Sequence, residues 1–198
     1  MLKELSENWN KYCREENFIG IGSTRKVFRV DEYVIKLHLH ILGYEQSKNE
    51  LHIYRAMAEK GLHELFAKVY YVDEIISIQK YYQPLELKNH QSFELDKNDE
   101  AQLLPNLYEE VLDLLDKDFD CFDLKDSSNY GMNKQGKLTF IDYGMSKSLY
   151  TNSWVPLAEA GIIPQIDFDV CRICERKREL RMYGDHDQDK RCYSCGKE

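Results

Sequence analysis

The sequence predicts an α+β protein of two lobes with a small metal-held appendage. Three observations carry this expectation. β-rich runs crowd the first 82 residues around a single helix-period stretch, helical and turn-rich segments follow to about position 168, and two Cys-x-x-Cys pairs close the chain. At 198 residues the chain can bury one substantial core and carry a small extra module. Its formal net charge of -8 argues against blanket association with nucleic acid. From Cys171 onward, however, eight Lys/Arg face six Asp/Glu, a local +2 against -10 for the remainder, so the composition shifts near position 170. No apolar run approaches the roughly 18 residues that span a bilayer. The opening MLKELSENWNKYCREENF is too charged for a secretory signal. A soluble, cytoplasmic chain with no membrane partner is expected.

Taken in order, Leu2, Leu5, Trp9, Tyr12 and Cys13 recur at helical spacing and predict an amphipathic opening helix within residues 1–17. FIGIGSTRKVFRVDEYVIKL reads as a strand, a glycine loop and a hairpin turning at Asp31-Glu32. GYEQSKNELHIYRAMAEKG sets Leu51, Tyr54 and Ala58 on one helical face and stops at Gly61, a residue suited to a helix C-terminus. AKVYYVDEIISIQKYY supplies two further strands around Asp73-Glu74. The first half is thus strand, strand, strand, helix, strand, strand. Residues 83–102 are polar with little periodicity and are expected as a linker with short helical pieces. Pro105 opens PNLYEEVLDLLDKDF, where Leu107, Val111 and Leu114 or Leu115 make a helical stripe. Residues 137–142 alternate as a strand after a turn over Lys134-Gln135-Gly136.

Phosphate groups are met by backbone N–H groups, cations and metal ions acting together. Gly20 and Gly22 lack a Cβ and let the backbone approach such a group, although a tight β turn is an equally simple use for them. Lys36 lies mid-strand in Val34-Ile35-Lys36, either as a phosphate ligand or as a solvent-facing edge lysine. Glu50, on the following helix, can pair with Lys36 or be solvated. Asn129 and Asp142 are hard oxygen donors brought together by a hairpin, which suits magnesium. Asp123 is a separate carboxylate able to orient an attacking hydroxyl, with Asp126 as the alternative base.

In this order the features resemble a protein kinase: a G-x-G loop ending in Val27, a V-I-K strand, a helix glutamate, a hinge near residues 80–85, then D-L-K with Asn129, and D-Y-G. The resemblance runs from Phe18 to Gly144 and is nearest to the compact kinase-like proteins of bacteria and their phages. It implies a minimal bilobal kinase-like fold, with an antiparallel first lobe plus one helix at about residues 18–82 and a reduced, mainly helical second lobe at about 86–168. It further implies that ATP is bound by Gly20, Gly22 and Lys36, with Glu50 fixing Lys36, and that Asn129 and Asp142 hold Mg2+. Asp123 would be the catalytic aspartate, and Lys125 would neutralise the transferred phosphoryl group. For a phage-encoded chain the compartment would be the host cytoplasm.

The chain departs from that pattern in places. Cys121-Phe122-Asp123 stands where His-Arg-Asp is usual, Arg25 replaces the third loop glycine, and Asp123 and Asn129 are six apart, one more than the family spacing. Arg25 can clamp a phosphate or block the site. Only 26 residues separate Gly144 from Cys171, too few for a full peptide-binding platform, and Ala158-Glu159 is at best a remnant of Ala-Pro-Glu.

Cys171-x2-Cys174-x17-Cys192-x2-Cys195 is the most specific motif, supplying four thiolates in pairs to one tetrahedral Zn2+. Residues 169–198 are therefore expected as a zinc ribbon that folds on metal binding. Asp185-x-Asp187-x-Asp189 does not make a calcium loop, because Lys190 stands where glycine is required. Arg176, Lys177, Arg178 and Arg181 can meet nucleic acid or an acidic partner, or form a solvated hairpin. Two functions follow: an ATP- and Mg2+-dependent phosphotransferase acting on a protein Ser/Thr hydroxyl, or an inactive nucleotide-binding module that engages partners through the ribbon. Binding of RNA or DNA by the ribbon is a third.

Overall fold

Apolar–polar alternation through the first half produces one antiparallel sheet. In the computed structural model, which describes residues 1–89 and 91–197, its strands are β1 (Phe18–Ile21), β2 (Arg25–Val30), β3 (Tyr33–His38), β4 (Val69–Val72) and β5 (Ile76–Lys80). They lie in the spatial order β1-β2-β3-β5-β4, which makes β3 central. Lys36 stands opposite Val27 on one side and Ser77 on the other, so it is no edge lysine. Ile35, Ile76 and Ile78 bury one face of the sheet beneath Leu5 of α1 (Leu2–Glu7). The opening helix is shorter than its periodicity suggests. After Glu7 the chain breaks into 3-10 turns at Trp9–Lys11 and Glu15–Asn17, which bring Trp9, Tyr12 and Cys13 back onto that apolar face.

α2 (Ile41–Glu59) crosses the other face of the sheet. His40 caps it, its Nδ1 accepting the Leu42 N–H, and Gly61 at φ +74° ends it in the left-handed conformation. Its buried face is Leu42, Gln46, Ser47, Glu50, Ile53 and Met57. Leu51 and Tyr54 only flank the core and Ala58 is exposed, so the apolar stripe expected there is not the inward one. Three polar residues hold inward positions because each finds partners on or beside the sheet, Thr24 for Gln46, His38 and Ser77 for Ser47, and Arg25, Lys36 and Gln79 for Glu50, which hydropathy does not register.

The second lobe combines α3 (Tyr108–Phe119) with a small antiparallel sheet of β6 (Gln83–Pro84), β7 (Tyr130–Met132) and β8 (Leu138–Phe140), in the order β6-β7-β8. After it come α4 (Lys147–Leu149), a π-helical turn at Tyr150–Trp154 and α5 (Val155–Glu159). Among the described residues of 83–102 there is no helix. The segment starts as β6 and continues in turns, with isolated bridges such as Glu94 to Asp126. α3 buries Val111, Leu112 and Leu115, while Leu107 lies outside it, exposed and at φ +63°. The main core joins these to Met57, Phe66, Tyr130, Phe140 and Tyr143 and so spans both lobes.

β9 (Gln165–Val170) and β10 (Lys177–Met182) form the terminal hairpin, paired from Val170 with Lys177 to Gln165 with Met182. β9 precedes Cys171, so the hairpin straddles the composition shift. No helix among the described residues is long and apolar enough to cross a membrane. The architecture is α+β and bilobal, with a cysteine-clustered hairpin at its end.

Candidate functional site

Because β3 is central, Lys36 is carried away from solvent and is 5% exposed. Its Nζ donates to Glu50 Oε1 at 2.9 Å and to the Ile141 carbonyl at 2.9 Å, linking the first lobe to the end of the β7–β8 hairpin. Glu50 is fully buried and also accepts from Arg25 Nη1 at 2.9 Å and Gln79 Nε2 at 2.6 Å. A buried carboxylate is tolerated only when its charge and lone pairs are met, and these three donors meet them.

Arg25 reaches further. Its Nη2 donates to Asp142 Oδ1 at 2.5 Å, so one guanidinium ties Glu50 of α2 to Asp142 of the second lobe. Burial works against the charge on Asp142, but the Arg25 and Lys36 cations prevail and hold its carboxyl down to about 2. Arg25, despite its own burial, is pushed above the usual arginine range by Asp142 and Glu50.

The placing of Asp142 follows from its neighbours. The Asn129 carbonyl accepts the N–H groups of Ile141 at 2.8 Å and Asp142 at 3.3 Å. Tyr143 is buried in the main core, its hydroxyl donating to the Ala67 carbonyl at 2.8 Å and its ring edge-on to Phe66. Gly144 lies hard against α2, where a Cβ would stand 2.0 Å from the Gln46 carbonyl oxygen. Only glycine lets Asp-Tyr-Gly approach the helix this closely.

Asp123 sits at φ +58°, and its carbonyl accepts from Asn129 Nδ2 at 2.6 Å. The extra residue between them is absorbed in a 3-10 turn, Ser127–Asn129, capped by Asp126. Both carboxylate oxygens of Asp126 are taken up in holding that turn, Oδ1 accepting the Ser128 N–H at 2.7 Å and Oδ2 accepting from Ser92 at 2.9 Å. The Asp123 carboxylate has no hydrogen-bond partner among the described residues, and burial, then the charges of Asp126, Asp142 and Glu94, raise it above the ordinary aspartate value. Lys125 is exposed and shares an open cavity of about 350 Å3 with Asp123, Asp126 and Glu94.

Cys121 takes over a bracing role that sequence reasoning misses. Its Sγ lies 3.8 Å from the Tyr143 carbonyl, and burial pushes the thiol up to about 12, so it stays protonated and donates. The bonds of Arg25 and Gln79 to Glu50 likewise have no signal in the sequence. Where the sequence leaves Arg25 as clamp or obstacle, the structure makes it a strut.

A cavity of about 180 Å3 opens between the lobes, walled by Gly20, Val27, Val34, Tyr82 and Ile141, with Lys36 and Asp142 in its lining. The space above Gly20 is open, since a Cβ there would meet nothing within 4 Å. Gly22 does not line this cavity; its N–H donates to the Arg25 carbonyl and its carbonyl accepts from Arg181. Asn129, with its Nδ2 turned to Asp123, keeps an amide oxygen for a cation, and Asp142 keeps Oδ2 beyond Arg25. Such hard oxygen donors fit Mg2+.

In the terminal hairpin the Sγ atoms of Cys171, Cys174, Cys192 and Cys195 all lie within 4.8 Å of one another. Tetrahedral zinc with Zn–S near 2.3 Å sets its sulfurs about 3.8 Å apart, so a small contraction closes the site. Backbone N–H groups, that of Cys174 foremost, outweigh burial and hold the Cys171 thiol down to about 6, which favours the ligating thiolate. The set fits a four-cysteine zinc site. Asp187 and Asp189 pair with Lys197 and Arg191, as befits a braced turn and not a calcium loop.

No protein-family model and no curated protein matches this chain. Solved structures similar to it include a ternary complex of APH(2")-IIa with streptomycin and ATP (16% identity, 71% of this chain and 69% of that one, TM-score 0.42). Two others are the Legionella pneumophila Lpg2603 kinase bound to IP6 (12%, 67% and 51%, TM-score 0.40) and the choline kinase LicA from Streptococcus pneumoniae (15%, 72% and 67%, TM-score 0.37). The chain spans about half the length of the Legionella kinase.

Proposed function

We propose that this chain is an ATP- and Mg2+-dependent phosphotransferase. The observation that supports this reading above all is that Lys36 and Asp142, 106 residues apart, line one cavity and are joined behind it through Glu50 and Arg25. Lys36, oriented by Glu50, is placed to pair with the α and β phosphates. Asp142 and Asn129 would hold Mg2+, which supplies charge neutralisation on the phosphates when bound. Asp123, without a hydrogen-bonding partner for its carboxylate and raised above its ordinary value, is the better base than Asp126 for taking a proton from an acceptor hydroxyl. Lys125 stands two residues on, where its ammonium can meet the transferred group. A protein serine or threonine is the acceptor suggested by the kinase resemblance, and the zinc ribbon is proposed as the element that docks the partner.

One observation favours a second reading, an inactive nucleotide-binding module: Arg25 already engages Asp142 Oδ1 where a metal ion would compete. Incubation with γ-labelled ATP and Mg2+ separates the two. Label transfer to an acceptor or to water, abolished by Asp142→Asn and cut about 100-fold or more by Asp123→Asn, is expected for the enzyme. Nucleotide binding with no transfer in the wild type would leave only the module.

A further inference from the structure

The four-cysteine hairpin is packed against the β1–β2 ribbon, whose Gly20 and Val27 line the cleft. Arg181, on β10 between the two cysteine pairs, is 5% exposed although arginine normally reaches for water. Its Nη1 donates to the Gly22 carbonyl in the glycine loop and its Nη2 to the Tyr183 hydroxyl at 3.1 Å. Tyr193, enclosed between Cys192 and Cys195, stacks on Phe18 with ring centroids 4.4 Å apart and an interplanar angle of 27°. Its hydroxyl lies 3.4 Å from Glu15 Oε2. Lys26 of β2 rests over the same two rings, 4.8 Å from the centroid of Tyr193 and 5.5 Å from that of Phe18. The hairpin therefore grips the β1–β2 ribbon at its root, Phe18, and at its tip, Gly22.

The gripping residues depend on the metal. Among the described residues the hairpin's own core is Cys171, Leu180 and Cys192 with three flanking side chains, Cys174, Cys195 and Met182. A core that small does not hold itself together, so the metal must organise it. Without it the β9–β10 ladder remains, but nothing ties the Cys192–Cys195 turn that carries Tyr193 to Cys171 and Cys174 as firmly as four shared metal bonds would. The loop itself has two glycines in residues 20–24 and is anchored at its far end, where buried Thr24 bonds Gln46 and accepts the Leu39 N–H, while among the described residues Gly22 has only its N–H to the Arg25 carbonyl besides the Arg181 contact.

We infer that the metal-held hairpin is a clamp that positions the glycine loop, with Arg181 and Tyr193 as its positioning residues. If the loop covers a nucleotide, as proposed above, metal occupancy and nucleotide affinity are thermodynamically linked, each strengthening the other by the same factor. This consequence rests on the nucleotide-binding reading; the clamp does not.

The experiment uses the full-length, zinc-loaded chain and reads hydrogen exchange of the amides of residues 18–27, zinc content, and Mg2+-ATP affinity by calorimetry. Arg181→Ala is expected to keep one zinc per chain, to speed exchange in residues 20–25 about tenfold or more, and to weaken Mg2+-ATP about tenfold. Arg181→Lys, which retains a donor for the Gly22 carbonyl, should recover most of both. Tyr193→Leu, tested separately, should loosen the Phe18 end. Wild-type exchange rates in the loop of zinc-loaded Arg181→Ala and Tyr193→Leu would overturn the clamp. Faster exchange in the variants combined with a wild type that binds no ATP would uphold the clamp and overturn the nucleotide reading and the linkage built on it.

Discussion

Arg25 carries the sharpest residue-scale consequence. If Asp142 holds Mg2+ as proposed, the guanidinium and the cation compete for it, so Arg25→Gln should lower the Mg2+ concentration that half-saturates nucleotide binding. A calorimetric titration of Mg2+ at fixed ATP reads this, and a higher half-saturation in the variant would show instead that Arg25 serves the phosphates. The same pair gives a pH signature. Asp142 moves from an ordinary value of 3.8 down to about 2 on folding, so its contribution to stability is complete above pH 3.8 and is lost as pH falls towards 2. Asp123 has the opposite sign: its raised carboxyl favours the fold only at low pH, and that contribution fades as pH rises through its folded value. Urea midpoints between pH 2 and 5 should therefore drop less steeply in Asp142→Asn than in the wild type, and an unchanged acid slope would contradict the assignment. The order of Lys36, Glu50, Asp123, Asn129 and Asp142 along the chain is itself a signal, and it made the meeting of Lys36, Glu50 and Asp142 at one cleft legible in the sequence. The bonds of Arg25, Gln79 and Cys121 were not legible, because each joins segments 22 to 117 residues apart and no local pattern announces such a pairing.

Among the elements, the joint between α2 and the segment after β8 decides where the acidic ligand points. Gly144→Ala would drive a methyl group into the Gln46 carbonyl, 2.0 Å away, and the backbone must shift to relieve it. A loss of about 1–3 kcal/mol in denaturant unfolding is expected, with a larger loss of nucleotide binding than of stability because Asp142 moves with the backbone. Gly20→Ala, in open space, should cost little stability, and an equal loss at both glycines would count against the packing argument. The order of strands and the long helix were readable here because hairpins turn at local signals such as Asp31-Glu32 and Gly136. β6 and β9 escaped because two residues of one, and the polar alternation Gln165-Ile166-Asp167 of the other, become strands only through distant partners, Met132 in one case and Met182 in the other. The inward face of α2 escaped because its buried polar residues invert the hydropathy rule.

At the scale of the whole molecule, the main core unites the two lobes and contains none of the hairpin's residues, so the two should part in stability. Chelation of zinc is expected to open residues 165–197 to protease while residues 41–159 stay protected, since the metal supplies on the order of 10 kcal/mol to a segment of this size. Simultaneous loss of both regions would mean that the hairpin is a structural keystone and not a clamp. The central claim is that an amine from the first lobe and a carboxylate from the second serve one metal–nucleotide complex. Calorimetric titration of ATP, with and without Mg2+, into the wild type, Lys36→Met and Asp142→Asn tests it most directly. The account predicts binding by the wild type that strengthens with Mg2+, at least tenfold weaker binding by Lys36→Met, and loss of the Mg2+ dependence in Asp142→Asn. Binding that is absent from the wild type, or equal in all three proteins, would contradict it.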